Sequence, residues 1–380
     1  MSNNITSIIV SHNARLRCVI TKLFNKSGIK DDATKREHFK EYRWQNCCVL
    51  KLILTPEGNQ YNFNLSLTYT GQIDPKEKKA YDYWSDRDYS ENLAPKSKGC
   101  MGSLCPRSNQ PPQQRVFHVF EPLTGLVSLP DLSDIQTSVA TGESNNNTQF
   151  TFYLVRHGQA EHNLYTSTTV FRKTDTSLTE NGTNSAYEAG IELNKDLEAN
   201  NAKIRYYFAS DLIRTRQTLQ GILRNVRTQN LHIDRIGITY IINLVILPCS
   251  HELSFVSSGD CDSKVNVGQP FTNENKMSCT NMTQYQHGSQ QYKDCVNFNV
   301  INADNKEIVV RLNWNLYSEF YGKSYRGSRA SSRKQCRQTS MIEESMNYIL
   351  TSSNSNNNQI AGRRRRRRTR KRRKTRKIKK

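Results

Sequence analysis

Arg156, His157 and Gly158 stand consecutively after an apolar run in the segment FYLVRHGQAEHN (152–163). The end of a buried strand is where α/β folds gather ligand-binding groups. An imidazole beside a guanidinium and a glycine suits a phosphoryl guest. The Arg fork spans two oxygens, the Gly admits close approach of the backbone, and a neutral imidazole attacks phosphorus. A tripeptide of this kind arises by chance in roughly a few chains in a hundred, so its place after a strand and its company downstream carry the argument.

That company is specific. Asp175-Thr-Ser-Leu-Thr-Glu-Asn-Gly182 precedes an amphipathic helix, and YYFASDLIRTRQTL (206–219) reads as a strand, a capping Ser210 and a helix with Arg214 in its first turn. A cation in a first turn opposes the helix dipole. It is understandable if Arg214 and the helix N-terminus face one anion; a solvated surface arginine is the alternative for this segment taken alone.

The elements that must position these groups follow from periodicity. Ile5–Val10 is a strand candidate, followed by a helix with Leu16, Val19, Ile20, Leu23 and Phe24 on one stripe. CCVLKLIL (47–54) and YNFNLSLTY (61–69) form a hairpin across TPEGNQ. Further on come a strand over 150–155, a helix over 180–198, a strand over 206–209, and a helix bearing Leu212, Leu219, Ile222, Leu223 and Val226. A strand over about 238–247 and a final helix complete the set; that helix opens with the capping box Ser340-x-x-Glu343 and buries Ile342, Met346, Ile349 and Leu350. Strands alternating with helices predict an α/β fold, a three-layer α/β/α sandwich with a mostly parallel central sheet. No internal repeat is visible.

The ordered segments RHGQAEHN, DTSLTENG and SDLIRTRQT are similar to the histidine phosphatase superfamily, the phosphoglycerate mutase-like family, over roughly 150–226. The resemblance implies His157 as nucleophile, Arg156 and Arg214 as phosphate ligands, and Asn163 as a further phosphate contact. It also requires a second histidine, which in that family ends a late strand reading V-S-H-G. Here only the polar spacer SSNSNNNQ and a basic tail follow the last helix, and His287-Gly288 lacks an apolar strand before it. The matching element lies at the other end. SIIVSHNARLRCVITKLF (7–24) presents Ser11-His12 after a strand, with Asn13 where the family has glycine. The resemblance therefore implies a circular permutation, with His12 as the second histidine; an unrelated histidine is the alternative.

The expected organisation is a segment over 1–72 that completes the phosphatase fold, a linker or insertion over 73–149 containing the apolar stretch VFHVFEPLTGLVSL, the main segment over 150–350, and a disordered polybasic tail over 351–380. The general acid expected from the resemblance is Glu252, in LVILPCSHEL, with His251, Asp260 and Asp262 as competitors. The activity implied is phosphomonoester hydrolysis through a phosphohistidine, without cofactor, on a phosphorylated small molecule or phosphoprotein. A phosphomutase, or an inactive relic binding nucleic acid through its tail, are the alternatives.

Composition bounds the rest. Of 380 residues and a net charge of +21, the stretch Arg363–Lys380 supplies 15 of the 55 Lys and Arg and no acid, so the body is close to balanced. Such a tail can neutralise nucleic-acid phosphates without sequence preference or serve as a nuclear address. No aromatic interleaves it, so base stacking is not indicated. No run of eighteen apolar residues exists, which predicts no membrane span. The amino terminus lacks a secretory apolar core, and ten scattered cysteines read as reduced thiols. The expectation is an intracellular protein, cytoplasmic or nuclear, not secreted. Cys249, His251 and Cys261, or Cys100 with Cys105, lack the paired spacing of a structural zinc site, so no metal is expected.

Overall fold

Long apolar runs give this chain strands that are covered on both faces, as the interior of a parallel sheet demands. Thr148–Arg156 (β5) is buried at every position except Gln149. In the computed structural model the described residues are 3–26, 44–71, 123–128, 148–160, 176–250, 297–317 and 340–352. The chain runs through Asn3–Ser11 (β1), Asn13–Lys26 (α1), Val49–Glu57 (β2), Gln60–Tyr69 (β3), Leu123–Val127 (β4) and then β5. It continues through Glu180–Ala199 (α2), Ile204–Ala209 (β6), Ile213–Leu223 (α3), Asp234–Ile236 (β7), Thr239–Ile246 (β8), Asn297–Ile301 (β9) and Glu307–Asn313 (β10). A last helix (α4) covers 341–352.

These strands form one sheet in the order β4-β3-β2-β5-β1-β6-β8-β10-β9, with β7 paired to β8. The amino-terminal strand β1 lies between β5 and β6 and is parallel to both. β6 and β10 are each parallel to β8. Outside that centre the pairing is antiparallel: β2 on β5, β3 on β2, β4 on β3, β9 on β10 and β7 on β8. The fold is thus α/β with a large mixed sheet, which corrects the expectation of a mostly parallel one. The reason is connection length. β2 and β3 are joined by a tight turn at Gly58 (φ +59°), and so short a link can only return the chain antiparallel.

Alternation along the strands sorts their side chains into two cores. Ile5, Ile9, Leu50, Leu52, Phe150, Phe152 and Leu154 pack with Leu16, Val19, Ile20 and Leu23 of α1 and Met341, Ile342, Met346 and Ile349 of α4. Ile8, Val10, Tyr153 and Val155 pack instead with Ala186, Leu193 and Leu197 of α2 and Leu219, Ile222 and Leu223 of α3. The helix that follows β1 therefore joins one core and the helix that follows β5 joins the other. Adjacent parallel strands whose helices part in this way open a crevice at their carboxyl ends.

Several local expectations hold and others need correction. The capping box forms: Glu343 N–H donates to Ser340 Oγ at 3.4 Å, and Ser340 N–H donates to Glu343 Oε2 at 2.5 Å. The apolar stretch inside 73–149 supplies β4, a strand of the sheet. Ser210 is not the cap of α3; that position is Leu212. Cys18 and Cys249 each take part in a disulfide, against the expectation of reduced thiols, while Cys47 and Cys48 are free. Spacing along a chain does not reveal which sulfurs meet in space. Among the described residues, no helix is long and apolar enough to cross a membrane.

The helices α2 and α3 approach closely through glycine. A Cβ on Gly190 would sit 2.4 Å from the Ile222 carbonyl oxygen, which is backbone and cannot rotate away. Gly190→Ala gains up to about 1 kcal/mol of helix propensity. It forces a backbone shift of the overpacking kind, which costs about 1–3 kcal/mol. We expect a lower denaturant midpoint, and a midpoint equal to or above wild type would show that the two helices part freely.

Candidate active site

The register of β1 and β5 sets the geometry of the crevice. Ser11 pairs with Arg156 and Val10 with Val155, so the two strands end level. The next residue on each is a histidine. His157 N–H donates to Ser11 O at 3.0 Å, extending the ladder by one rung and bringing His12 and His157 side by side. Their ring centroids lie 5.1 Å apart with planes at 59°. Both are buried, at 0% and 1% exposure. On the other flank of β1, Ser210 N–H donates to Val10 O at 3.1 Å, so the end of β6 reaches the same edge.

Each imidazole has a hydrogen-bond partner among the described residues. His157 Nδ1 lies 2.7 Å from the Gly158 carbonyl oxygen. A carbonyl only accepts, so Nδ1 carries a proton, and in the neutral form of the ring the lone pair is then on Nε2. That is the tautomer a nucleophilic imidazole needs. His12 Nε2 lies 2.7 Å from Ser210 Oγ, which in turn lies 3.1 Å from Thr215 Oγ1. The Ser210 hydroxyl also accepts the Leu212 N–H at 3.3 Å. Its commitment to His12 and to the turn ahead of α3 explains why it does not cap that helix.

One close approach accounts for both motif glycines. A Cβ on Gly158 would meet the Gly182 carbonyl oxygen at 2.6 Å, and a Cβ on Gly182 would meet the Gln159 carbonyl oxygen at 2.0 Å. Thr179, the cap of α2, ties the same contact by donating its N–H to Gln159 O at 2.9 Å. Gly158 N–H donates to Thr218 Oγ1 at 2.9 Å, and Thr218 donates to Arg214 O at 2.7 Å. The first turns of α3 are thereby fastened to the Arg-His-Gly segment.

Both arginines are interior. Arg156 is 4% exposed and Arg214 is 2% exposed, so Arg214 is not a solvated surface residue. Arg156 donates from Nη1 to the Trp44 carbonyl, and its backbone is clasped by Cys47 N–H on its carbonyl at 3.1 Å and Cys48 O on its amide at 3.2 Å. The two thiols of that turn are poor nucleophiles. Burial pushes the Cys47 thiol above its usual range and the Cys48 thiol up to about 12, against the opposing pull of Arg156.

The far wall of the edge is the short turn Pro248–Ser250 after β8. Ser11 Oγ donates to Ser250 O at 3.0 Å. Cys249 N–H donates to Glu344 Oε2 on α4 at 3.1 Å. The structure therefore brings His12, Arg156 and His157 together at one sheet edge and fastens Arg214 to it through Thr218. Asn163, Glu252, His251, Asp260, Asp262, Cys261, Cys100, Cys105, His287 and the basic tail lie outside the described residues. Among the described residues, no group of three or more His, Cys, Asp or Glu could hold a metal. Reading the sequence missed Trp44, Thr218 and Glu344, which act through backbone contacts that residue spacing does not record. It saw Ser210 only as a cap.

Residues 152–236 match the family model of the histidine phosphatase superfamily (branch 1). No curated protein and no solved structure matches the chain.

Glu344 yields a stability prediction. Burial raises its carboxyl from 4.5 to about 8, with the Cys249 N–H and the Arg15 guanidinium pulling the other way. A raised pKa means that the folded state holds the proton while the unfolded state has lost it. The contribution is complete below the unfolded value and is lost as pH rises through the folded one. Wild type should lose melting temperature between pH about 5 and about 8, and Glu344→Gln, which keeps the acceptor oxygen, should flatten that slope. Parallel slopes in the two proteins would show that this carboxyl is not the source.

Proposed function

We propose that this chain, which carries a histidine phosphatase superfamily segment over residues 152–236, is a phosphomonoester hydrolase working through a phosphohistidine. The observation that carries the reading is the pair of buried imidazoles, His12 and His157, with centroids 5.1 Å apart at the end of two parallel strands. His157 Nε2 attacks phosphorus and the ester oxygen departs with its electron pair, taking a proton from Glu252. Water then attacks the phosphorus of the phosphohistidine as Glu252 takes back a proton, releasing orthophosphate and restoring the imidazole. Arg156, Arg214 and His12 bind the phosphoryl oxygens and stabilise the charge that develops on them, with Asn163 as a further contact. No cofactor takes part.

The permuted arrangement belongs to this proposal. The segment 1–72 stands in for the family's closing segment, and the frame is a three-layer α/β/α sandwich. Its support is the place of β1 between β5 and β6 and the separation of α1 and α4 from α2 and α3 into two cores. The substrate is a phosphorylated small molecule or a phosphoprotein. A mutase would use the same pocket and return the phosphoryl group to its substrate. The tail over 363–380 is an accessory that holds nucleic acid without sequence preference.

With an aryl phosphate as substrate, His157→Ala should lower turnover by at least about a thousandfold, and wild type, not the variant, should show an acid-labile, base-stable phosphoenzyme after a rapid quench. Equal rates would discard the mechanism. Removing 363–380 should leave turnover unchanged and abolish salt-sensitive retention on DNA or RNA; loss of turnover on truncation would tie the tail to catalysis instead.

A further inference from the structure

The residue that departs from the family's pattern is the one with the most informative contact. Asn13 replaces the glycine that follows the second histidine in the resembling family, and taken from the sequence it looks like decay. In the structure it opens α1, directly after His12, and its Oδ1 accepts the Trp44 N–H at 2.8 Å. Glycine has no atom that could do this.

Trp44 is the residue whose carbonyl receives Arg156 Nη1. It is 1% exposed, so its ring is fixed in the core it shares with α1 and α4. The turn it begins then follows the end of β5. Cys47 N–H reaches the carbonyls of Arg156 and His157 at 3.1 and 3.4 Å, and Cys48 O accepts the Arg156 amide at 3.2 Å. Arg156 is therefore held by this turn at its backbone and at its guanidinium. Asn13 is the side chain that ties the start of the turn to the strand carrying His12.

We infer that Asn13 is a positioning residue for Arg156: through the Trp44 backbone it fixes the guanidinium plane, so the segment that supplies the second imidazole also sets the phosphate-binding fork. This inference rests on the phosphoryl reading of the crevice. A guanidinium grips two oxygens of a tetrahedral anion only when its plane is correctly turned. A carbonyl bound to one Nη sets that plane, and the carbonyl is only as well placed as the peptide that bears it. Permutation makes such a tether useful, because 1–72 and the main segment are joined through 73–149 and no short covalent link aligns His12 with Arg156.

The test is a double-variant cycle read as kcat/KM on an aryl phosphate, with orthovanadate binding as a second measurement. Asn13→Gly in the wild-type background should lower kcat/KM and vanadate affinity by about three- to tenfold, the range of one lost hydrogen bond. In an Arg156→Lys background, which keeps the charge and loses the planar fork, Asn13→Gly should change kcat/KM by less than about twofold, since coupled positions are not additive. Asn13→Ala, a better helix former at that position, should behave alike and serves if the glycine variant melts early. Equal losses in both backgrounds would assign Asn13 a merely structural role and overturn the inference. So would an active wild type that Asn13→Gly and Asn13→Ala leave unchanged, with the phosphoryl reading intact. A wild type that neither turns over aryl phosphate nor binds vanadate would remove both.

Discussion

The arrangement depends on three strand ends lying level. β1 is flanked by β5 and β6 and parallel to each, with Ser11 opposite Arg156 and Val10 opposite both Val155 and Ala209. Because the side-chain period of a strand is two, a slip of one residue in either pairing would send His12 to the other face. The register is held by burial on both sides of the strand: Ile9 belongs to one core, Ile8 and Val10 to the other, all at 0% exposure. The apolar pattern of Ile8-Ile9-Val10 thus does more than fill space. It sets where the two imidazoles leave the sheet.

The second constraint is close backbone approach behind His157. Gly158 and Gly182 are 24 residues apart in sequence and sit on each other's backbone, as the 2.6 Å position of an added Cβ makes plain. Glycine is demanded after His157 by the packing of the α2 start beneath it, while its backbone carbonyl also takes His157 Nδ1. Thr218 completes the seat by accepting from Gly158 and donating to Arg214. His157, Gly158 and Arg214 form one hydrogen-bonded unit, which ties the three separate sequence motifs together in space.

How much of this could be read from residues alone follows from what periodicity encodes. The strands at 5–10 and 150–155, the helix over 180–198 and the capping box at Ser340 and Glu343 rest on local pattern, and they stand as read. The site was legible where a motif carries its own context, as with Arg156-His157-Gly158 and the Arg214 segment. Legibility failed where the cause is tertiary. The antiparallel pairing of β2 with β3, β7 with β8 and β9 with β10 goes with short connections. β4 on β3 and β2 on β5 are instead joined through long stretches of chain, a matter of path rather than composition. β9 and β10 alternate polar and apolar too weakly to declare themselves. Trp44 reads as an ordinary core aromatic, whereas its contribution to the site comes from its backbone N–H and C=O, which no side-chain type announces.

Asn13 also weighs on whether the crevice is an enzyme's or a relic's. Burying a guanidinium is costly, and replacing buried ionic groups by apolar ones of similar volume is often neutral or stabilising. A chain released from selection for anion binding would gain by losing Arg156 and Arg214 from its interior. Both are interior here, at 4% and 2% exposure, and His12 and His157 are buried as well. The chain also holds Asn13, Trp44 and Arg156 in one hydrogen-bonded series. Decay removes interactions at a site. A buried guanidinium held by an ordered series of contacts fits an edge that meets an anionic guest, which is the demand the proposed phosphoryl chemistry would make.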